Sequence, residues 1–234
     1  MRWLEHLFAH VDKIDRDFRF RVKGASDDEI EQVERAMGVP VPQVHQEYLR
    51  TMGRNDGGLF RSSRARTNVP AILELIECIK EENSTADFER FVPIAIGDAF
   101  EGWALVQKDG ELPVVLIDHT RPGAYVARSL PHLALYTAFG WRIKAAAHQV
   151  RFRVRADETQ LVQPSERAAW LGFSPEWFCD HLSYFGVRPD SLLQIHPGTI
   201  RGFDGFVAAQ DVATARQLAE GLAEPFLGVL TFER

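Results

Sequence analysis

The chain has 234 residues, of which 45% are hydrophobic and 26% are charged, and its formal net charge is −6. This composition suffices for one large or two small globular domains, and an acidic chain argues against nucleic acid as the direct ligand. Two cysteines cannot make a disulfide framework, and no apolar run approaches the roughly 20 residues that span a bilayer, so we expect a cytoplasmic protein that does not bind membranes.

The first twenty-two residues predict a helix followed by a short strand. Arg2 and Glu5 place charge too early for a secretory signal, so we expect the protein to stay where it is made. Phe18, Phe20 and Val22 alternate with arginines and predict the strand. The helix is predicted by an apolar stripe at helical spacing, formed by Trp3, Leu4, Leu7, Phe8 and Val11.

The segment 26–40 carries helix start and stop signals. Ser26 and Glu29 match a capping box, in which the hydroxyl and the carboxylate satisfy unpaired amides of the first turn. Gly38 suits the left-handed residue that ends a helix, and Pro40 prevents continuation. We therefore predict a helix between Ser26 and Gly38.

The next signals predict two further helices and a turn. Pro42 suits the first residue of a helix. The run Asn55 to Gly58 predicts a turn that ends this helix. Pro70 opens another helix, which ends at Asn83-Ser84.

A run of strands follows this helix. Asp109-Gly110 predicts a hairpin turn, and a strand at Tyr125-Val126 precedes a helix from about Ser129. Strands that arrive in a run between helices predict an α+β domain. The main strands are Val92–Ile96, Trp103–Gln107 and Val114–Asp118.

The order of these motifs resembles the SUKH superfamily, which includes bacterial toxin-immunity proteins and fungal cell-wall regulators. The resemblance covers roughly residues 1–145 and implies an antiparallel sheet flanked by helices. The chain departs from the family pattern at Arg54-Asn55-Asp56, where the family turn is tighter, and in the arginine loop, Arg61 to Arg66. The matching residues are Glu34, Gly38, Pro42, Tyr48, Asn55 to Gly58, Phe91 to Ala95, Gly97-Asp98, Trp103 to Leu105, Val114 to His119 and Ser129-Leu130.

The last third predicts a C-terminal α/β extension of unknown role, residues 149–234, after a SUKH-like domain of residues 1–148. Its predicted strands are Val150–Val154, Gly205–Ala209 and Leu227–Phe232. Its predicted helices are Pro164–Leu171, Pro175–Phe185 and Val212–Leu222, the last behind an Asp211 cap.

Few residues suggest reactive chemistry. His6 and His10 have the spacing of a metal-binding pair, but Leu7 stands where a metalloprotease needs glutamate. Asp118-His119 would suit a general base, yet adjacent strand residues point to opposite faces. The run Cys179-Asp180-His181 likewise gives no catalytic pair. We expect no enzymatic activity, no metal and no cofactor.

Charge is distributed unevenly along the chain. Residues 71–118 carry eleven acids against three bases, a local net charge of −8, whereas residues 50–66 carry a local +4. The acids either solvate helix and strand edges or form a face that steers a basic partner. The arginine loop is either a mobile surface loop balanced by these acids or a phosphate-binding segment.

The SUKH resemblance implies a non-catalytic protein-binding module, and we predict an immunity protein that neutralises a cognate bacterial toxin. Acids would speed encounter with a basic toxin domain, and an aromatic residue would slow dissociation. We expect a monomer without direct nucleic-acid contacts. Two alternatives remain open: an intracellular scaffold or regulatory SUKH-type protein that binds a host partner, and a small hydrolase dependent on histidine and aspartate. The predicted protein-binding residues are Asp98, Glu101, Trp103, Asp109 and Asp118.

Overall fold

The computed structural model describes residues 2–82, 86–97, 101–118, 121–155, 164–181, 183–197, 202–224, 226 and 230–233. These residues form a mixed α+β fold with antiparallel sheets, which confirms the fold class expected from the sequence. The chain folds into two compact units, Met1–Ala138 and Phe139–Arg234. The predicted boundary, after residue 148, falls at the start of a strand. None of the helices in the described ranges is long and apolar enough to cross a membrane.

The first unit combines helices with a two-stranded ladder and a four-stranded sheet. Its helices are α1 (Arg2–Val11), α2 (Phe18–Arg21), α3 (Asp27–Met37), α4 (Gln43–Met52), a 3-10 turn (Arg61–Ser63), α5 (Val69–Glu82) and the start of α6 (Leu130–Ala145). The ladder pairs β1 (Val22–Lys23) with β2 (Asn55–Asp56). The sheet contains, in this spatial order, β3 (Phe91–Ile96), β4 (Glu101–Val106), β5 (Val114–Asp118) and β6 (Arg121–Ala127).

The predicted signals at both ends of α3 are confirmed. Ser26 and Glu29 form the capping box, with the Glu29 amide donating to the Ser26 hydroxyl and the Ser26 amide donating to the Glu29 carboxylate. Gly38 has a φ of 78° and accordingly ends the helix in the left-handed conformation. Pro42 is the cap of α4 rather than its first residue.

The glycine turn after α4 is built by its own side chains. Asn55 accepts a hydrogen bond from the Gly57 amide (2.9 Å), and Asp56 accepts one from the Gly58 amide (2.8 Å). Both glycines have positive φ, 70° and 88°. A Cβ at Gly57 would lie 2.6 Å from the ring of Phe18, so glycine is required there by conformation and by space.

The predicted strand at Phe18–Val22 is wrong, because all but its end is helix α2. Phe18 is buried while Phe20 is 83% exposed, so the two rings do not share a face as they would in a strand. Arg19 binds Asp12 at 2.7 Å and Arg21 binds Asp15, and these ion pairs hold the turn against the preceding loop.

The second unit is a six-stranded antiparallel sheet with helices. Its elements are β7 (His148–Arg155), α7 (Pro164–Trp170), β8 (Ser174–Pro175), β9 (Tyr184–Val187), β10 (Leu192–Pro197), β11 (Gly202–Ala209), α8 (Val212–Ala223) and β12 (Leu230–Glu233). The strand order is β12-β7-β11-β10-β9-β8. Strands β7, β10, β11 and β12 with α7 and α8 therefore form two interleaved β-α-β units, the split βαβ arrangement.

The predicted helix at Pro175–Phe185 is wrong. Its described residues, 175–181 and 183–185, comprise the end of β8, an irregular stretch and the start of β9, and Leu182 lies outside the described residues. Aromatic packing accounts for the difference, because the buried Phe185 ring lies 5.3 Å from the Phe139 ring and 5.1 Å from the Phe178 ring. The predicted helix cap at Asp211 is confirmed, since its carboxylate accepts a hydrogen bond from the Thr214 amide (2.8 Å).

Candidate protein-binding site

The predicted binding residues lie on or beside a β-hairpin formed by β4 and β5. Two backbone hydrogen bonds close its turn, from the Lys108 amide to the Glu111 carbonyl (3.1 Å) and back (2.8 Å). Asp109 and Gly110 have φ values of 51° and 81°, which is the conformation that a two-residue hairpin turn needs. The hairpin predicted from Asp109-Gly110 is confirmed.

The structure separates the predicted residues. Glu101 and Asp118 are paired across the β4–β5 ladder, and Trp103 lies two residues from Glu101. Asp109 lies at the tip, eight residues from Glu101, which corresponds to about 26 Å along an extended strand. Asp98 lies outside the described residues. The end of the hairpin distant from the turn therefore carries Glu101, Trp103 and Asp118.

Trp103 forms a half-buried apolar pair with a residue of the neighbouring strand. It lies directly opposite Leu116, whose side chain is 36% exposed, and directly opposite residues share a sheet face. The Trp103 ring packs edge-on against the fully buried Phe60 ring, with centroids 5.3 Å apart and planes at 81°. The core thus contacts the indole through Phe60 while the neighbouring Leu116 remains accessible.

A groove of about 170 Å³ lies between this sheet face and the arginine loop. Trp103, Leu116 and Ala95 line it from the sheet, and Ser63 and Ala65 line it from the loop. The position of the loop is fixed by two backbone hydrogen bonds between Arg66 and Ile96, 2.8 and 3.0 Å long. The arginine loop therefore forms a wall of the groove that is held in place by the sheet.

Hydrogen bonds and ring contacts continue from this site into the core. Thr67 Oγ1 donates to the Asp56 carboxylate (3.3 Å) and lies 2.6 Å from the Tyr48 hydroxyl. Burial, with a further contribution from Asp56, raises the pKa of Tyr48 well above its usual value. The Tyr48 ring lies 6.5 Å from that of Phe60, which supports Trp103. The glycine turn is thereby connected to the proposed contact surface.

Arginines at three positions of the segment 50–66 form ion pairs with acids elsewhere in the first unit. The distances are 2.9 to 3.0 Å, and each pair is largely exposed, so its contribution to stability is small. The pairs are Arg50–Asp27, Arg54–Glu29 and Arg66–Glu74. Much of the positive charge in this segment is thus balanced locally.

The two histidines of α1 differ in burial. His6 is exposed whereas His10 is buried, so the two rings of the predicted pair lie in different environments. His119 lies outside the described residues. Among the described residues, no group of three or more histidine, cysteine, aspartate or glutamate side chains is arranged to hold a metal ion.

Cys179 is held by the backbone of Phe185. Its Sγ accepts a hydrogen bond from the Phe185 amide (3.2 Å) and donates one to the Phe185 carbonyl (3.3 Å). Burial raises the pKa of Cys179, which disfavours the reactive thiolate. These contacts indicate a structural role for the thiol.

A serine–histidine contact that sequence spacing did not reveal lies in the second unit. Ser183 Oγ lies 2.7 Å from His196 Nδ1, and Gln194 Nε2 lies 2.5 Å from His196 Nε2. A hydrogen-bonded serine and histidine with a third orienting group is one signature of nucleophilic catalysis. Here Ser183 is buried, and both ring nitrogens of His196 contact protein groups, so the network serves to position β9 and β10.

The most exposed tryptophans lie in the second unit. Trp170 is 72% exposed and Trp177 is 50% exposed, both more than the half-buried Trp103. The Arg167 guanidinium lies 4.0 Å from the Trp170 ring centroid in a cation–π contact. The sequence around Trp170 did not predict that its side chain is exposed, because the neighbouring alanines are compatible with either the buried or the exposed face of a helix.

Comparison with protein-family models gives no match for this chain, and comparison with curated proteins gives none either. The SUKH resemblance therefore stays a prediction that rests on the order of its motifs.

Proposed function

We propose that this protein is a non-catalytic binding module, and that it acts as an immunity protein that neutralises a cognate bacterial toxin by docking on it. The proposed immunity role rests on the SUKH resemblance. The binding role is supported by the accessible apolar pair of Trp103 and Leu116 beside a groove. Aromatic residues in partly preformed pockets are the usual centres of binding energy at protein interfaces.

The size of the groove suits one side chain of a partner. Its volume of about 170 Å³ is close to that of an engineered cavity of about 150 Å³ that binds benzene. We therefore propose that the partner inserts a single large apolar or aromatic side chain against Trp103. The rest of the contact would spread over the hairpin and the arginine loop.

Charge at the end of the hairpin supports a partner with basic groups. Glu101 and Asp118 are paired in register at that end, next to the strand positions of Trp103 and Leu116. Arg121 of β6 is paired with Asp118 on its other side, so the acids among these paired residues outnumber the bases by one. Paired acids attract a basic surface from a distance and raise the association rate, and salt weakens this effect. Asp109, at the hairpin turn, contributes less under this proposal.

Co-expression with the toxin candidate encoded beside this gene tests the proposal, with cell survival and complex formation as the two readouts. We expect Trp103→Ala to lose both, because it removes the anchor of the site. Trp170→Ala is the matched control, since it removes a more exposed tryptophan from the second unit. Leu116→Asp is a second variant that should lose both readouts. Leu116 is exposed to solvent, so the fold should tolerate the substitution.

Two results would contradict the proposal. One is survival and complex formation that persist in both Trp103→Ala and Leu116→Asp, with folding verified by circular dichroism. The other is an equal loss in Trp170→Ala. If the neighbouring genes encode no toxin and the chain instead binds a host protein through the same hairpin, the scaffold alternative replaces the immunity role.

A further inference from the structure

The sheet of the second unit has one face covered by helices and one face that is partly open. Side chains of β7 and β11 pack with α7 and α8 in a single core that includes Phe152, Phe203, Ala168 and Leu222. On the opposite face, Phe185 of β9 is buried against aromatic rings, so that part is closed. The open part belongs to the central strands β7 and β11.

Arginines occupy the open face of β7 at every second position. Burial alternates along the strand, with Val150, Phe152 and Val154 buried and the intervening residues exposed. The exposed arginine strip consists of Arg151, Arg153 and Arg155. Alternate residues of a strand are about 6.6 Å apart, so the three arginines leave the backbone at regular intervals along one face.

The neighbouring strand β11 adds one aromatic ring and one acid to this face. Phe206 is paired with Arg151, whose guanidinium lies 5.5 Å from the ring centroid. Asp204 is paired with Arg153, and its carboxylate is 4.0 Å from Arg153 and 3.8 Å from Arg151. Each guanidinium has five N–H donors, so an arginine that contacts Asp204 can also donate to a ligand.

We propose that the arginine strip and Phe206 bind single-stranded nucleic acid. The guanidinium groups would contact successive phosphates of an extended strand, and the half-buried Phe206 ring offers a stacking surface for a base. The acidic net charge of the whole chain predicted no direct nucleic-acid contact, but binding depends on the local field. The arginine strip carries three positive charges, and the two acids in register with it are Asp204, paired with Arg153, and Glu233, paired with Arg151. Positive charge is therefore in excess on this face.

Fluorescence anisotropy of the full chain with a labelled oligothymidylate of about 15 nucleotides tests this proposal. We expect a dissociation constant in the micromolar range at about 50 mM salt. Three phosphate contacts on a single strand predict a slope of about −2 for the logarithm of affinity against the logarithm of salt concentration. The toxin is absent from this assay, so its result is independent of the function proposed above.

Three variants separate the contributions. Arg153→Gln should weaken binding and reduce the magnitude of the salt slope by about 0.7. Phe206→Leu should weaken binding at least about fivefold with the slope unchanged, because stacking is lost and no charge is removed. Arg216→Gln is the charge-matched control on α8, where the guanidinium lies 5.6 Å from the Phe232 ring on the helical side, and it should leave binding unchanged.

Any of three outcomes overturns the proposal. The first is no binding at about 50 mM salt by a chain whose fold is verified. The second is an equal loss in Arg216→Gln and Arg153→Gln, which would indicate only general charge attraction. The third is equal competition by a poly-glutamate peptide of the same length, which would assign the face to an acidic protein segment instead.

Discussion

The ring of Phe60, fully buried, supports the ring of Trp103 edge-on at a centroid distance of 5.3 Å. This contact connects the hydrophobic core of the first unit to the half-exposed surface that we propose for binding. A partner that contacts Trp103 therefore binds a side chain whose orientation Phe60 already fixes. This limits the side-chain conformational entropy that is lost on binding.

Phe60→Leu should weaken partner binding without removing any surface residue. The smaller side chain leaves space beneath Trp103 and should lower the free energy of unfolding by about 1 to 3 kcal/mol. Isothermal titration calorimetry and urea unfolding measure the two effects. Phe139→Leu in the second unit is the matched control and should lower stability while leaving partner affinity intact. Unchanged affinity in Phe60→Leu would contradict the supporting role of this ring.

Alanine substitutions at the two adjacent glycines of the turn should differ in cost. Gly58→Ala meets no atom within 4 Å but must adopt a φ of 88°, which costs about 1 to 2 kcal/mol. Gly57→Ala has the same conformational cost and in addition approaches the Phe18 ring at 2.6 Å. Thermal unfolding should therefore show a larger loss for Gly57→Ala. Equal melting temperatures for the two variants would contradict the packing described at Phe18.

His45 should make the protein less stable in mild acid. Its ring is fully buried, neither ring nitrogen has a hydrogen-bond partner among the described residues, and desolvation lowers its pKa from 6.5 to about 3. Because the unfolded chain binds a proton below about pH 6.5 and the folded chain does not, stability falls with falling pH between these two values. The expected loss is about 2 kcal/mol between about pH 7.5 and about pH 5.

His45→Leu should reduce the acid sensitivity by about 2 kcal/mol. Burial also lowers the pKa of His196, so part of the sensitivity stays in place. Urea unfolding at the two pH values measures the difference. His181→Gln changes an exposed histidine and is the control, which should keep the dependence of the parent chain. An identical pH dependence in His45→Leu and the parent would show that other groups cause the acid sensitivity.

Ser183→Ala should affect stability and not chemistry. Removal of the hydroxyl takes away the partner of His196 Nδ1, and such a loss costs about 1 to 3 kcal/mol in a buried site. Urea unfolding measures this loss, with Ser191→Ala as a comparison at another buried serine. Covalent labelling of Ser183 by a fluorophosphonate reagent would instead indicate a serine nucleophile, and so a hydrolase of a different kind from the histidine- and aspartate-dependent one.

Local signals predicted the elements that depend on local geometry. The capping box at Ser26 and Glu29, the left-handed Gly38 and the Asp109-Gly110 turn each specify backbone conformation through neighbouring atoms. The structure has these features where the sequence placed them. The α+β class followed from the order of such elements.

The sequence was less informative where tertiary contacts determine the local secondary structure. The alternation of Phe18, Phe20 and Val22 suggested a strand, but ion pairs with the preceding loop favour a helical turn. The aromatic run before Phe185 suggested a helix, although its rings pack around Phe139 from an irregular segment and a strand. The exposed Trp170 and the pairing of Ser183 with His196 depend on residues distant in the chain, which spacing alone does not reveal.

Hydrogen–deuterium exchange of the full chain, with and without the toxin candidate, tests the central claim most directly. We predict that partner binding slows exchange in β4 and β5 around Trp103 and Leu116 and in the arginine loop, because these segments line the proposed contact groove. Protection confined to residues 164–177, which carry the more exposed tryptophans, would contradict the account.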